Sequence, residues 1–126
     1  MKKTIMIDGL PVEMKCTGAT PSFYRELFKR DLFIEFAKLG QYYTKDENGE
    51  YKLSSYDIDL SVIENLAYTM AYQAKRDIGT KMEWLDQFEH STAVINAMKD
   101  IIDFYMEGLV TTSEVKKKTS EKQTDR

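Results

Sequence analysis

The apolar positions between Asp57 and Lys75 recur with helical spacing and predict the longest amphipathic helix of the chain. They repeat at i, i+3, i+4, i+7, i+8 and i+11, and the stripe comprises Ile63, Leu66, Ala67, Met70, Ala71 and Ala74. The segment contains neither Pro nor Gly and is rich in Ala, Leu and Met, which favour helix. Because an apolar stripe of this length must be covered, we expect the flanking segments to pack on it.

The amino-terminal residues alternate between apolar and polar side chains, which predicts two strands, Thr4 to Ile7 and Val12 to Cys16. Asp8-Gly9 lies between them and predicts a tight hairpin turn, because Gly tolerates positive φ. Pro11 has no N–H to donate, so the second strand should begin at an edge or just after it. A lone hairpin is marginal in water, so it must lie against the helices or pair with a second copy.

Helical spacing resumes at Thr20, which is predicted as an N-cap with Pro21 as the first helical residue. The apolar pattern continues to Leu39, and Gly40 is typical of a helix C-terminus. The charged step at residues 29–31 shifts the apolar phase. The pattern therefore fits either one bent helix or two shorter helices.

Residues 41–55 carry two tyrosine-containing runs on either side of Asn48-Gly49, a natural turn. No apolar alternation fixes a buried face for these runs. Both a second, exposed hairpin and a mobile loop fit the pattern, and the sequence leaves the two alternatives open.

The remainder of the chain predicts further helices followed by a polar tail. The organising helix should begin near Ser55 or Asp57, with Ser61-x-x-Glu64 as a later capping box, and should end at residues 77–79. A capping box at Thr80-x-x-Glu83 then opens a short helix. Ser91 or Thr92 is predicted to cap the last helix. The sequence thus predicts one α+β domain over residues 1–110, with an N-terminal β-hairpin packed on a bundle of about four helices. Residues 111–126 are predicted to form a flexible polar tail.

Composition and charge place the chain among ordinary globular proteins of one domain, with 42% hydrophobic and 31% charged residues. The net charge of −3 and the pI near 5.2 argue against general nucleic-acid binding. Cys16 is the only cysteine, so an intramolecular disulfide and a multi-cysteine metal site are both excluded. The absence of a signal peptide or membrane-spanning run predicts a cytoplasmic protein.

No pattern in the chain predicts a reaction centre. His90 is the only histidine and lies in a predicted turn, which makes a solvated role the simplest interpretation. The carboxylate pairs Asp57/Asp59 and Glu83/Asp86 lie near predicted helix starts, where negative charge complements the helix dipole. The acidic run at residues 46–50 lacks the ligand spacing of an EF-hand, and the glycines stand singly. We therefore predict no catalytic, metal-binding or cofactor-binding residues and no enzymatic activity.

Four segments, taken in order, resemble the tail assembly chaperones of long, non-contractile-tailed bacteriophages and prophages of Gram-positive bacteria. They are the opening hairpin KKTIMIDGLPVEMK, the aromatic-basic helix FYRELFKRDLF, the helix ENLAYTMAYQAK and the segment EWLDQFE before a final helix. The resemblance extends over nearly all of the predicted domain. None of these segments is a catalytic signature, so the resemblance lies in their order along a chain of this size.

The resemblance implies a non-enzymatic assembly factor that binds the helical tape-measure protein and keeps it soluble while the major tail protein polymerises around it. Implied partners are the tape-measure protein, the major tail protein and further copies of this chain, with no nucleic acid, membrane or cofactor. Codons for Lys116 to Lys118 can supply a slippery sequence for ribosomal frameshifting, which would give a longer form. Such a factor works in the cytoplasm of the host bacterium and is absent from the mature virion.

A chaperone for amphipathic helices needs apolar and aromatic contact surface. The aromatic and methionine residues that we predict for this role are Tyr68, Tyr72, Trp84, Phe88, Met98, Tyr105 and Met106. Core packing is the competing interpretation for each of them. The alternative function is a small phage regulatory or nucleic-acid-associated protein that uses Lys29-Arg30 and the tail lysines. A third is a structural neck or tail-terminator subunit.

Overall fold

A computed structural model describes residues 1–40, 43–53 and 59–109 of the chain. Within them an N-terminal antiparallel hairpin packs on helices, which confirms the predicted α+β class. The predicted polar tail at residues 111–126 lies outside the described residues, as do the predicted helix starts at Ser55 and Asp57.

The first hairpin pairs strand β1 (Lys2–Ile7) with strand β2 (Leu10–Lys15) through the turn predicted at Asp8-Gly9. Both turn residues have positive φ, 52° for Asp8 and 80° for Gly9, as a two-residue type I′ turn requires. Pro11 lies inside β2 opposite Met6, one residue after the strand begins. One face of the hairpin is buried against the helices, and its fully buried or nearly buried residues are Ile5, Ile7, Val12 and Met14.

The next segment forms two helices, α1 (Thr20–Phe28) and α2 (Leu32–Gly40), and not one bent helix. Lys29 ends α1 in the left-handed conformation, with φ at 58° and its N–H donating to the Arg25 carbonyl. Asp31 then accepts from the Ile34 N–H at 3.0 Å and opens α2. The charged step that shifts the apolar phase is therefore a break between helices.

The prediction of Thr20 as an N-cap is wrong. The N-cap position of α1 is Ala19, and Pro21 is the second residue of the helix. Thr20 is buried, and its hydroxyl donates to Gln73 Oε1 at 2.7 Å and accepts from the Thr17 N–H at 2.9 Å. A buried hydroxyl needs hydrogen-bond partners, and here the tertiary partner replaces the local cap.

Residues 43–53 form a hairpin, which is one of the two alternatives that the sequence leaves open for residues 41–55; residues 41–42 and 54–55 lie outside the described residues. Strand β3 (Tyr43–Lys45) pairs antiparallel with strand β4 (Tyr51–Leu53). The turn between them is held by Asp46, whose Oδ1 accepts from the N–H groups of Asn48 and Glu50 at 2.9 and 2.8 Å. Gly49 has a φ of 79°, which explains a glycine at this position.

Helix α3 (Ser61–Ala74) is the centre of the molecule and confirms the organising role of the predicted stripe. It contacts the first hairpin and each of the other helices in the described part of the chain. Ten of its fourteen residues are buried, among them Asn65 and Gln73, which lie off the predicted stripe. The helix begins at Ser61, whose N–H donates to Asp59 Oδ1 at 3.0 Å, and ends three residues before the predicted limit at 77–79.

The carboxyl-terminal half contains three helices where the sequence predicts two. The capping box of Thr80 and Glu83 opens helix α4 (Lys81–Asp86) as predicted. Helix α5 (Ala93–Asn96) follows Thr92 and is separated by Ala97 from helix α6 (Met98–Leu109). The described residues therefore contain six helices instead of about four, because each of two predicted helices divides at a short break.

Candidate partner-binding surface

Four of the predicted contact residues form a row of rings in which each ring contacts the next. The ring of Tyr68 lies 6.0 Å from Tyr72 and 5.7 Å from Trp84, and Trp84 lies 5.2 Å from Phe88. Tyr68, Trp84 and Phe88 are buried, and Tyr72 is half-buried at one end of this row. These rings pack α3 against α4, so in the folded monomer they contribute mainly to the core.

The other three predicted residues lie on α6. Met98 and Tyr105 are buried, whereas Met106 keeps 40% of its surface exposed. The structure therefore exposes Met106 alone among the seven candidates and buries five of them. Helical spacing of aromatic and methionine residues does not by itself separate a contact face from a core face, since both are apolar.

Among the side chains whose burial the structure describes, the large apolar ones that are exposed lie mostly elsewhere. They are Met1, Met6, Leu10, Phe33, Ile34, Met82 and Met106. Phe33 and Ile34 are neighbours on α2, with 53% and 57% of their surfaces exposed, and Ala37 one turn later is exposed too. We call these three residues the α2 face. Their signal in the sequence is the run LFIEF, which is apolar around the helix and cannot be buried on every side.

A cleft borders the α2 face. It has a volume of about 540 Å³ and lies between α2, the end of α6 and the segments that precede α1. Its lining is mostly apolar and includes Met1, Phe33, Tyr105 and Leu109. Burial raises the pKa of Tyr105 to about 12, and its buried hydroxyl has no hydrogen-bond partner among the described residues.

A second depression, separate from this cleft, is a groove between α1 and the end of α3. Its volume is about 410 Å³, and its side-chain lining includes Phe23, Glu26, Leu27, Tyr72 and Arg76. The Arg76 guanidinium carbon lies 4.5 Å from the centre of the Phe23 ring and 5.4 Å from that of Tyr72. The two rings meet edge to face at 6.3 Å. We call this the Arg76 groove.

The polar side chains that contact one another tie elements of the fold together. Asp8 Oδ1 lies 2.8 Å from His90 Nδ1, and Asp8 Oδ2 accepts from the N–H groups of Glu89 and His90. These hydrogen bonds from His90 hold the pKa of Asp8 below its usual range. The predicted turn histidine is exposed, and it fastens the first hairpin to the connection between α4 and α5.

The contacts of Cys16 and Glu83 likewise lie within the fold. Cys16 is buried, and burial raises the pKa of its thiol. Glu83 accepts from the Thr80 N–H within the capping box, which lowers the pKa of its carboxyl group. In residues 1–40, 43–53 and 59–109 there is no group of three or more metal-ligating side chains. Asp57 lies outside these ranges.

Comparison with known proteins returns no relative for this chain. No family model, no curated protein and no solved structure matches it. Among the described helices, none has both the length and the apolar character needed to cross a bilayer.

Proposed function

We propose that this chain is a phage tail assembly chaperone that binds the tape-measure protein and keeps it soluble for polymerisation of the tail tube. The four segments of sequence resemblance motivate the assignment. The structural observation that supports it is the α2 face, where two large apolar side chains remain more than half exposed beside an apolar cleft.

Exposed apolar neighbours on a helix suit transient binding of another helix. Burying apolar surface contributes about 25 cal/mol per Å² removed from water, so a small face gives a modest and reversible contact. Phe33 and Ile34 can pack on the apolar side of an amphipathic helix, with the adjacent cleft receiving a projecting side chain. Weak and displaceable contacts are what an assembly factor needs if the major tail protein is later to take its place.

The charged step before α2 argues against the alternative of a nucleic-acid-associated protein. Arg30 donates to Glu35 Oε2 at 3.1 Å, and Arg25 lies 4.0 Å from Asp31. These carboxylates offset part of the positive charge that a phosphate backbone would require.

Co-expression with the tape-measure protein of the same genome tests the proposal. We expect the tape-measure protein to be soluble and to co-elute with this chain in size-exclusion chromatography, and to aggregate when it is expressed alone. Mass spectrometry should find the chain in infected-cell lysate and not in purified virions. Equal solubility of the tape-measure protein with and without the chain would contradict the proposal, and presence in virions would favour a structural tail subunit.

A further inference from the structure

The Arg76 groove places an exposed cation next to half-buried aromatic side chains. The Arg76 guanidinium lies over Phe23 and beside Tyr72, at distances where the faces of aromatic rings attract a cation. Arg76 is exposed, whereas Phe23 and Tyr72 are half-buried. A cation–π contact does not use up the hydrogen-bonding capacity of the guanidinium, which has five N–H donors.

No carboxylate in the described part of the chain lies within ion-pair distance of Arg76. Glu26 lines the same groove without forming such a pair. The preferred partner of a guanidinium edge is a carboxylate, which accepts two parallel hydrogen bonds in a planar fork. The groove therefore supplies the positive half of an ion pair next to an apolar surface.

We propose that the Arg76 groove binds an acidic side chain that lies beside apolar residues on a helix of the partner protein. The carboxylate pairs with the N–H edges of Arg76, and the adjoining apolar atoms pack on Phe23, Leu27 and Tyr72. The identity of the partner in this inference rests on the proposed function. The inference adds that the bound segment is an amphipathic helix with an acidic residue at the edge of its apolar face.

The test uses a small probe, so that its outcome is independent of the tape-measure protein. Hexanoate carries a carboxylate on an apolar chain, and hexanamide has the same shape without the charge. Each is titrated into the full chain labelled with ¹⁵N, and amide shifts are followed in two-dimensional NMR spectra. We expect saturable shifts at Phe23, Tyr72 and Arg76 with hexanoate, at an affinity about tenfold higher than with hexanamide, as one charge-assisted interaction predicts.

Substitutions assign the effect to one side chain. Arg76→Gln should remove the preference for hexanoate, whereas Lys75→Gln, which removes an equal charge from the neighbouring exposed residue, should preserve it. Glu26→Gln should strengthen hexanoate binding, because it removes a like charge from the groove. Thermal unfolding of each variant shows that it is folded.

Equal affinities for the two probes, or an Arg76→Gln variant that binds hexanoate as well as the unchanged protein does, would overturn the inference. Failure of the chaperone proposal is distinguishable from this result. A carboxylate-specific groove in a chain that does not solubilise the tape-measure protein would support the groove and contradict only the proposed function.

Discussion

Helices α2 and α3 distribute polar and apolar residues in opposite ways. Helix α3 buries the polar side chains of Asn65, Thr69 and Gln73, whereas α2 exposes Phe33 and Ile34. The difference arises from position, since α3 contacts the first hairpin and all the other described helices, whereas α2 contacts mainly α1, α3 and β3. Composition thus indicates that both helices belong to the fold, but only their packing shows which one leaves large apolar side chains exposed.

The largest expected effect is the difference in unfolding free energy lost when an apolar side chain is truncated in α3 and in α2. Leu66 in α3 is fully buried, so Leu66→Ala removes packed atoms and leaves a cavity. We expect a loss of about 2–5 kcal/mol in the free energy of unfolding, measured by urea denaturation. The matched change Ile34→Ala on α2 should alter it by about 0.5 kcal/mol or less. Comparable losses at the two sites would show that the α2 face is part of the core.

The buried polar residues of α3 give the next effect. Gln73 Oε1 accepts from Thr20 and Gln73 Nε2 donates to Thr17 Oγ1 at 2.6 Å, so α3 is fastened to the start of α1. Gln73→Leu should cost about 1–3 kcal/mol of unfolding free energy, because it leaves a buried hydroxyl without its acceptor. Adding Thr20→Val should recover part of that loss in a double-mutant cycle. Strictly additive losses would exclude the coupling.

A smaller effect of opposite sign is expected at the edge of the cleft. Tyr105→Phe removes a buried hydroxyl that has no partner in the described residues, and it keeps the ring that packs 4.7 Å from Phe36. We expect the free energy of unfolding to rise by about 1 kcal/mol. A decrease, measured by the same urea denaturation, would mean that the hydroxyl is hydrogen-bonded in solution.

The smallest effect concerns pH and the tie between the first hairpin and the connection after α4. The pKa of Asp8 is lower in the folded protein than in the unfolded chain. Its contribution to stability is therefore complete above the unfolded pKa, about 4, and is lost as pH falls through the folded pKa. Asp8→Asn should flatten the decline of stability below about pH 4. An unchanged acid limb, measured by urea denaturation across that range, would contradict this assignment.

Local signals in the sequence predict the elements whose partners are close along the chain. Asp8-Gly9 predicts the first turn because positive φ is demanded there, and Thr80 with Glu83 predicts its helix start because the cap is complete within four residues. Thr20 shows the limit of such signals. Its hydroxyl bonds to Gln73, which is 53 positions away, and no local pattern reports that distance.

Exposed apolar surface is harder to predict than the fold, because it also depends on residues that are far apart along the chain. Tyr68, Trp84 and Phe88 have the residue types of a binding surface, but they are buried and pack on one another where α3 meets α4 and the segment after it. Phe33 and Ile34 are exposed because α2 is short and apolar on more sides than its neighbours cover. Only the positions of those neighbours decide which apolar residues remain accessible.

The central claim is that the apolar surface left on α2 serves a partner and not the fold. The most direct measurement is the soluble fraction of co-expressed tape-measure protein with the double variant Phe33→Ser/Ile34→Ser. Met82→Ser is the control, since Met82 is 77% exposed on α4. We predict that the double variant keeps its unfolding free energy and loses the ability to solubilise the tape-measure protein, while the control retains it. A double variant that solubilises the partner as well as the unchanged chain does would contradict the claim.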